Sequence, residues 1–247
     1  PKVIGPFRAQ FPNIEIHLQE SKSEEIITNL MNDKIAFCVL PGGTDHLPVG
    51  VKTEYIYTER LFLVAGKDMI TEEMLVSPGA RMARDASNIL ENLPEVDLRK
   101  LRDLPFIIMK RGQYIRRKVD DIFRRFDFLP KEIMEVSSCI SATQLAASGL
   151  GVTIVPERAI VPFQNPNFSV YNYGPTPDCW EVNAVYKENV YLGEAERGLI
   201  ETMQQVFEAE SKTILELASA GTCVIVGRCA DYILREKNPF RIFVYAD

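Results

Sequence analysis

The chain has 247 residues, 46% of them hydrophobic and 25% charged, and its 28 Lys and Arg against 34 Asp and Glu leave a net charge of −6. That length buries a substantial core in one large or two ordinary domains. The acidic balance excludes a grip on nucleic acid by this chain's own charge, because phosphate contacts need clustered Lys and Arg.

No apolar run approaches the roughly 18 residues that cross a bilayer, and the first residues show no signal-peptide pattern. The 5 cysteines have no C-x-x-C spacing and the 2 histidines, His17 and His46, have no ligand-like spacing to any of them. Neither a disulfide framework nor a zinc site is expected, and reduced cytoplasm is the natural compartment.

In chain order, residues 3–11 read as a helix ending before Pro12, followed by the alternating strand Ile14, Ile16, Leu18. Ser23, Glu24 and Glu25 open a second helix with Ile26, Ile27, Leu30 and Met31 on its apolar face, and Phe37 to Leu40 is a short buried strand. Helices alternating with strands predict an α/β fold with a parallel sheet. Pro41-Gly42-Gly43-Thr44-Asp45 follows a strand, so it lies where open α/β sheets place ligands; a plain Gly-rich turn fits the same residues.

Val51 to Ala65 is a β-rich run long enough to leave one subdomain and enter another. Residues 71–96 are irregular, with helical character over Ala80 to Leu90. Phe106 to Met109 is a strand, Arg111-Gly112-Gln113 its exit, and Tyr114 to Phe126 a helix with Ile115, Val119, Ile122, Phe123 and Phe126 inward. The basic residues of that helix are interrupted by Asp120, Asp121 and Asp127 and read as a mixed solvated face; a second reading has Arg111 or Arg116 helping to hold an anion.

Glu132 to Val136 is a strand that runs into a hydroxyl cluster, Ser137, Ser138 and Ser141, which opens a helix ended by Gly149 before the strand Val152 to Pro156. The first N–H groups of a helix have no intrahelical partner and carry its positive dipole end. Ser138 or Ser141 can cap them, and a carboxylate or phosphate can sit there instead. Cys139 at the same place is expected to be a small buried residue, not a reactive thiol. Phe168 to Tyr173 and Cys179 to Tyr186 are further strands, and Glu194 to Phe207 a helix.

The run ATQLAASGLGVTIVPERAI, with the opening PKVIGPFRAQFPNIEIHLQE and the segment VDLRKLRDLPFII, resembles the effector-binding domain of LysR-type transcriptional regulators over about residues 1–207. The resemblance implies a two-lobed, periplasmic-binding-protein-like (type 2) fold with two hinge crossings: lobe I from residues 1–61 and 183–207, lobe II from residues 62–182. It implies a small, anionic effector in the interlobe cleft, bound by Ser137, Ser138 and Ser141, Gln113, Gly43 and Thr44, with no cofactor, no metal and no enzymatic activity. DNA would be reached only through a helix-turn-helix domain absent from this sequence, in a homo-oligomer with no membrane association. The family's first strand, central in its sheet, is also absent here. Where the family's peroxide sensors carry a reactive cysteine, this chain has Gln113 and Tyr114.

From about residue 208 the resemblance changes. FEAESKTILELASAGTCVIVGRCADYILREKNPFRIFVYAD reads as a βαβ-like tail and looks like an internal piece of a cytidylate-kinase-like protein. That likeness implies Arg228 and Asp231 near a nucleoside monophosphate, and makes a nucleotide-binding protein the alternative function. No G-x-x-x-x-G-K-[ST] loop for the donor phosphates occurs in the sequence. Either tail strand, Cys223 to Val226 or Ile242 to Tyr245, could take the place of the absent first strand.

Overall fold

The computed structural model describes residues 3–42, 47–76, 93–160, 167–176 and 178–219, with side chains as far as residue 209. Within these the chain forms two compact units. Residues up to Thr58 and from Trp180 onward belong to the first, and Glu59–Cys179 to the second.

The first unit is built on three strands in the order β1 (Cys38–Pro41), β7 (Cys179–Lys187) and the beginning of β2 (Val51–Gly66). β1 and β7 run antiparallel, with Cys38 opposite Val185 and Leu40 opposite Asn183. Side chains alternate across the sheet. On one face Leu30 of α2 (Ser23–Met31) packs with Cys38, Leu40 and Val185, flanked by Ile26 and Ile27. On the other, Ile56, Ala184, Tyr186 and Leu192 enclose Ile200 of α5 (Glu194–Ser219), and Tyr57 stacks on Phe207 at 4.1 Å. The short α1 (Ile4–Gln10) buries Phe7, which stacks on Phe11 at 5.0 Å.

The second unit has the strand order β2–β5–β3–β4, with β6 (Phe168–Tyr171) also paired to β2. β3 (Pro105–Met109) is parallel to β4 (Glu132–Val136) from Pro105↔Glu132 to Met109↔Val136, and parallel to β5 (Val152–Pro156) at Phe106↔Val152. β2 is antiparallel to β5 and β6. Leu63, Val64, Phe106, Ile107, Ile108, Val152, Ile154 and Val155 form its buried centre. Against it, α3 (Tyr114–Arg125) places Ile115, Val119, Ile122 and Phe123, and Phe106, Phe123 and Phe128 meet with ring centroids 5.1–5.3 Å apart. α4 (Cys139–Ala147) offers Ala142 and Ala146, small enough for close approach to the sheet. Gly151 opens β5 where any side chain would meet β3, a Cβ there lying 2.5 Å from the Pro105 carbonyl oxygen.

Three expectations change. Ile14, Ile16 and Leu18 alternate but form no strand: among the described residues nothing pairs with them, and Ile14 and Leu18 are 42% and 79% exposed. A strand pattern needs a neighbouring strand to satisfy its backbone, and no strand among the described residues supplies one; the Ile14 N–H donates to the Phe11 carbonyl instead. The sheets are not purely parallel, because β2 and β7 belong to both units and run against the strands they meet. The last regulator-like helix does not stop near Phe207 but continues to Ser219 as one 26-residue helix, since no Gly or Pro lies between Gly198 and Gly221. The Ala80 to Leu90 segment and both tail strands lie outside the described residues.

Candidate functional site

β3 and β4 are adjacent and parallel, so α3 and α4 both begin at the same edge of the second unit, beyond the strands' carboxyl ends. Ligands of open α/β sheets bind at such ends. β3 leaves the sheet through Lys110, whose N–H donates to the Val136 carbonyl at 2.8 Å. Gly112 turns the chain with φ +89°, a value that favours glycine, and Gln113 becomes the N-cap of α3.

Gln113 does not cap with its side chain. Its Nε2 donates to the Ser137 carbonyl at 2.8 Å, which fixes the amide's orientation, and its Oε1 is buried with no hydrogen-bond partner among the described residues. Ser138 is the N-cap of α4 in extended conformation, and it too makes no side-chain cap bond, contrary to the capping expected of Ser138 or Ser141. The first helical bond is Ala142 N–H to Ser138 carbonyl, 2.9 Å, so the N–H groups of the first turn ahead of it have no intrahelical carbonyl partner. Ser137 and Ser138 are exposed and Ser141 half-buried in the first turn. Four of the expected ligand residues, Gln113, Ser137, Ser138 and Ser141, are thus brought together around one helix start. Gly43 and Thr44 lie outside the described residues, as do Arg228 and Asp231.

Cys139, also in this turn, feels opposing influences. Burial, aided by the Glu59 carboxylate, outweighs the hydrogen bond from its own backbone N–H and pushes its thiol up to about 12.

Arg116 does not serve as an anion receptor. Its side chain is 8% exposed and already bonded: Nε to both Asp120 carboxylate oxygens at 2.9 and 3.1 Å, Nη1 to Glu135 Oε1 at 2.5 Å and to the Met109 carbonyl at 3.1 Å. Burial acts to lower its pKa, but the two carboxylates outweigh it and raise it, so the guanidinium stays charged and neutralised in place. Arg111, by contrast, is exposed. The Arg116–Asp120 spacing of four was visible in the sequence as a helical pair; the reach to Glu135 and to a strand carbonyl was not.

The first unit holds a separate open cavity of about 500 Å³ lined by Lys52, Tyr186, Tyr191, Glu194 and Arg197, among others. Of its two cations Arg197 is already paired: Glu54 accepts from Arg197 Nη1 at 2.6 Å and from the Tyr186 hydroxyl. Nothing in the sequence pattern pointed to this cavity.

One α/β unit presents two helix starts at one sheet edge and is joined to a second α/β unit by two strands, the topology of a two-lobed α/β domain. The family of the LysR substrate binding domain matches residues 1–208, and the chain belongs to it. Residues 172–247 match the cytidylate kinase-like family, so the two matches overlap from 172 to 208, a stretch that includes the first half of α5.

Among curated relatives, the HTH-type transcriptional regulator CzcR of Bacillus subtilis is 24% identical over 207 residues, 82% of this chain and 61% of that protein. The nitrogen assimilation regulatory protein nac of Escherichia coli is 29% identical over 158 residues, 64% of this chain and 44% of that protein. The chain thus spans about half of such relatives. Among solved structures, the Synechocystis PCC6803 CcmR regulatory domain in complex with 2-PG has a TM-score of 0.67 at 17% identity, covering 83% of this chain and 89% of that one. The BenM effector binding domain with its effector benzoate has a TM-score of 0.64 at 21% identity, covering 85% and 86%. The Corynebacterium glutamicum OxyR C206 mutant has a TM-score of 0.65 at 20% identity, covering 90% and 63%. These likenesses show the fold, the two-lobed periplasmic-binding-protein-like type.

Proposed function

We propose that this chain is the effector-sensing part of a LysR-type transcriptional regulator, and that the start of α4 with Gln113 binds a small organic acid. The observation that carries this is the pairing of complementary groups at one spot. Unpaired N–H groups at a helix start favour a carboxylate or phosphate, while the buried, partnerless Oε1 of Gln113 calls for a donor. A small acid with a neighbouring hydroxyl or amine satisfies both. The BenM, CcmR and QuiR structures, named as holding benzoate, 2-PG and shikimate, support a ligand of this class. In the intact regulator, DNA is read by a helix-turn-helix domain on a homo-oligomer in the cytoplasm, and ligand binding shifts the population of conformers that this domain experiences. The sensing part itself performs no catalysis.

A thermal-shift screen of the whole chain against small acids, benzoate, shikimate and 2-phosphoglycolate among them, tests the reading. A ligand at 100 times its Kd stabilises by about 2.7 kcal/mol. We expect at least one acid to do so for the wild type and to lose most of the effect in the Ser138→Ala, Ser141→Ala double variant. Equal stabilisation of both refutes the assignment of the site.

A second reading rests on the cytidylate kinase-like match: a nucleotide-binding protein in which Arg228 and Asp231 contact a nucleoside monophosphate. ATP-dependent phosphorylation of CMP by this chain would favour it over the sensor.

A further inference from the structure

The site is held together from behind. Arg116 leaves the first turn of α3 and its guanidinium runs back beneath the strand ends, where one planar group meets three elements: the Met109 carbonyl that ends β3, Glu135 near the end of β4, and Asp120 one turn further along α3. Its fork of rigid donors suits such multiple acceptance in a way a lysine ammonium does not. In front of this clamp, the same two strand exits are tied by Lys110 N–H to Val136 carbonyl and by Gln113 Nε2 to Ser137 carbonyl. Those last two bonds hold the Gln113 amide and the approach to α4 side by side.

β4 needs such a tie. It ends the strand order of its unit, pairs only with β3 among the described residues, and its side chains from Glu132 to Glu135 are all exposed. With so little burial of its own, the register of its exit is poorly fixed by packing. Arg116 supplies a buried anchor where packing is thin.

We propose that Arg116 is a positioning residue for the acid-binding wall: it fixes the β3 and β4 exits relative to each other so that Gln113 and the Ser137–Ser141 turn meet a ligand as one surface. The geometric half of this stands alone, and the half that concerns binding rests on the proposed function above. Groups that bind must be held by neighbours whose own positions are locked.

Two variants of the whole chain test it. Arg116→Lys keeps the charge but loses the fork, and Glu135→Gln weakens the β4 tie through a half-exposed partner, so that one result survives if the first variant folds poorly. Amide hydrogen exchange at Lys110 reads the clamp without any ligand, with Ile107 in the middle of β3 as the internal reference. In both variants Lys110 should exchange about tenfold faster or more, as expected for loss of a bond to a charged group, while Ile107 changes far less. Calorimetric titration with benzoate, shikimate and 2-phosphoglycolate reads the wall: an acid that binds the wild type should bind both variants about tenfold more weakly. Unchanged exchange at Lys110 in both variants overturns the proposal. Faster exchange with unchanged affinity overturns the positioning role. Binding of none of the acids by the wild type, with Lys110 responding as described, counts against the effector reading and for the clamp.

Discussion

Gly151→Ala places one methyl group where the backbone of a neighbouring strand already stands. The new Cβ would lie 2.5 Å from the Pro105 carbonyl oxygen, 3.2 Å from the Pro105 carbonyl carbon and 3.2 Å from Ile107 Cγ1. Real contacts of this kind sit near 3.4 Å or more, so β5 must move away from β3 by several tenths of an ångström or more. It must do so next to Phe106↔Val152, the register that joins the two strands. The obstacle is backbone and cannot swing aside. Overpacking of a well-filled core costs about 1–3 kcal/mol, which in a chain of this size lowers Tm by roughly 2–4 °C per kcal/mol. Gly5→Ala is the control: that glycine lies in α1 with nothing within 4 Å of its Cβ position, and helix propensity favours alanine by up to about 1 kcal/mol. Thermal unfolding of the two variants should therefore move in opposite directions. A Gly151→Ala protein as stable as wild type would refute the close-approach reasoning.

Ile200→Ala empties a fully buried position among Ile56, Ala184, Tyr186 and Leu192, and chemical denaturation should find a loss of about 2–5 kcal/mol. Glu54 responds to pH. Burial acts to raise its pKa, but the bonds from Tyr186 and Arg197 and the Arg197 charge outweigh it and hold the carboxyl below its usual range. A depressed folded pKa gives stability that is present above the ordinary carboxylate value of about 4.3 and is lost as pH falls through the folded value. Glu54→Gln should accordingly be less stable than wild type at neutral pH, and the gap measured by denaturant titration should close in acid below that value. Cys139, with its thiol at about 12, should hold about a thousandfold less thiolate at pH 8 than an unstructured cysteine and be alkylated correspondingly slowly, as peptide-resolved mass spectrometry can show. Fast labelling at this position would restore a redox role.

The parts of the fold that depend on local pattern were legible in the sequence. β4 and α4 follow from a strand, a hydroxyl cluster and Gly149, whose φ of +77° ends the helix as a glycine does. Gln113 and the serines met at one helix start because parallel strands β3 and β4 bring their exits side by side. What could not be read needed a partner distant in sequence. Ile14, Ile16 and Leu18 carry a strand's alternation, yet alternation describes a face and does not supply the neighbour that completes the hydrogen bonds. Arg116 looked like one of many charges on a solvated helix, because its i+4 partner Asp120 is the pattern of an exposed pair; the Met109 carbonyl and Glu135 that bury it are brought near only by the fold. The Gln113 amide was picked for its place at a strand exit, and its free acceptor became visible only with Ser137 beside it. The extent of α5 was misjudged for another reason: the expected end near Phe207 came from a family boundary, whereas the residues after it are helix formers without a breaker.

The central claim, that the α4 start with Gln113 receives a small acid, is tested most directly by an amide NMR titration of the whole chain with the acid that gives the largest thermal shift. The predicted result is saturable movement concentrated at the Gln113 side-chain amide and at the backbone amides of Cys139, Ile140 and Ser141. Movement concentrated instead at Lys52, Tyr191 and Arg197, around the cavity of the first unit, would contradict it.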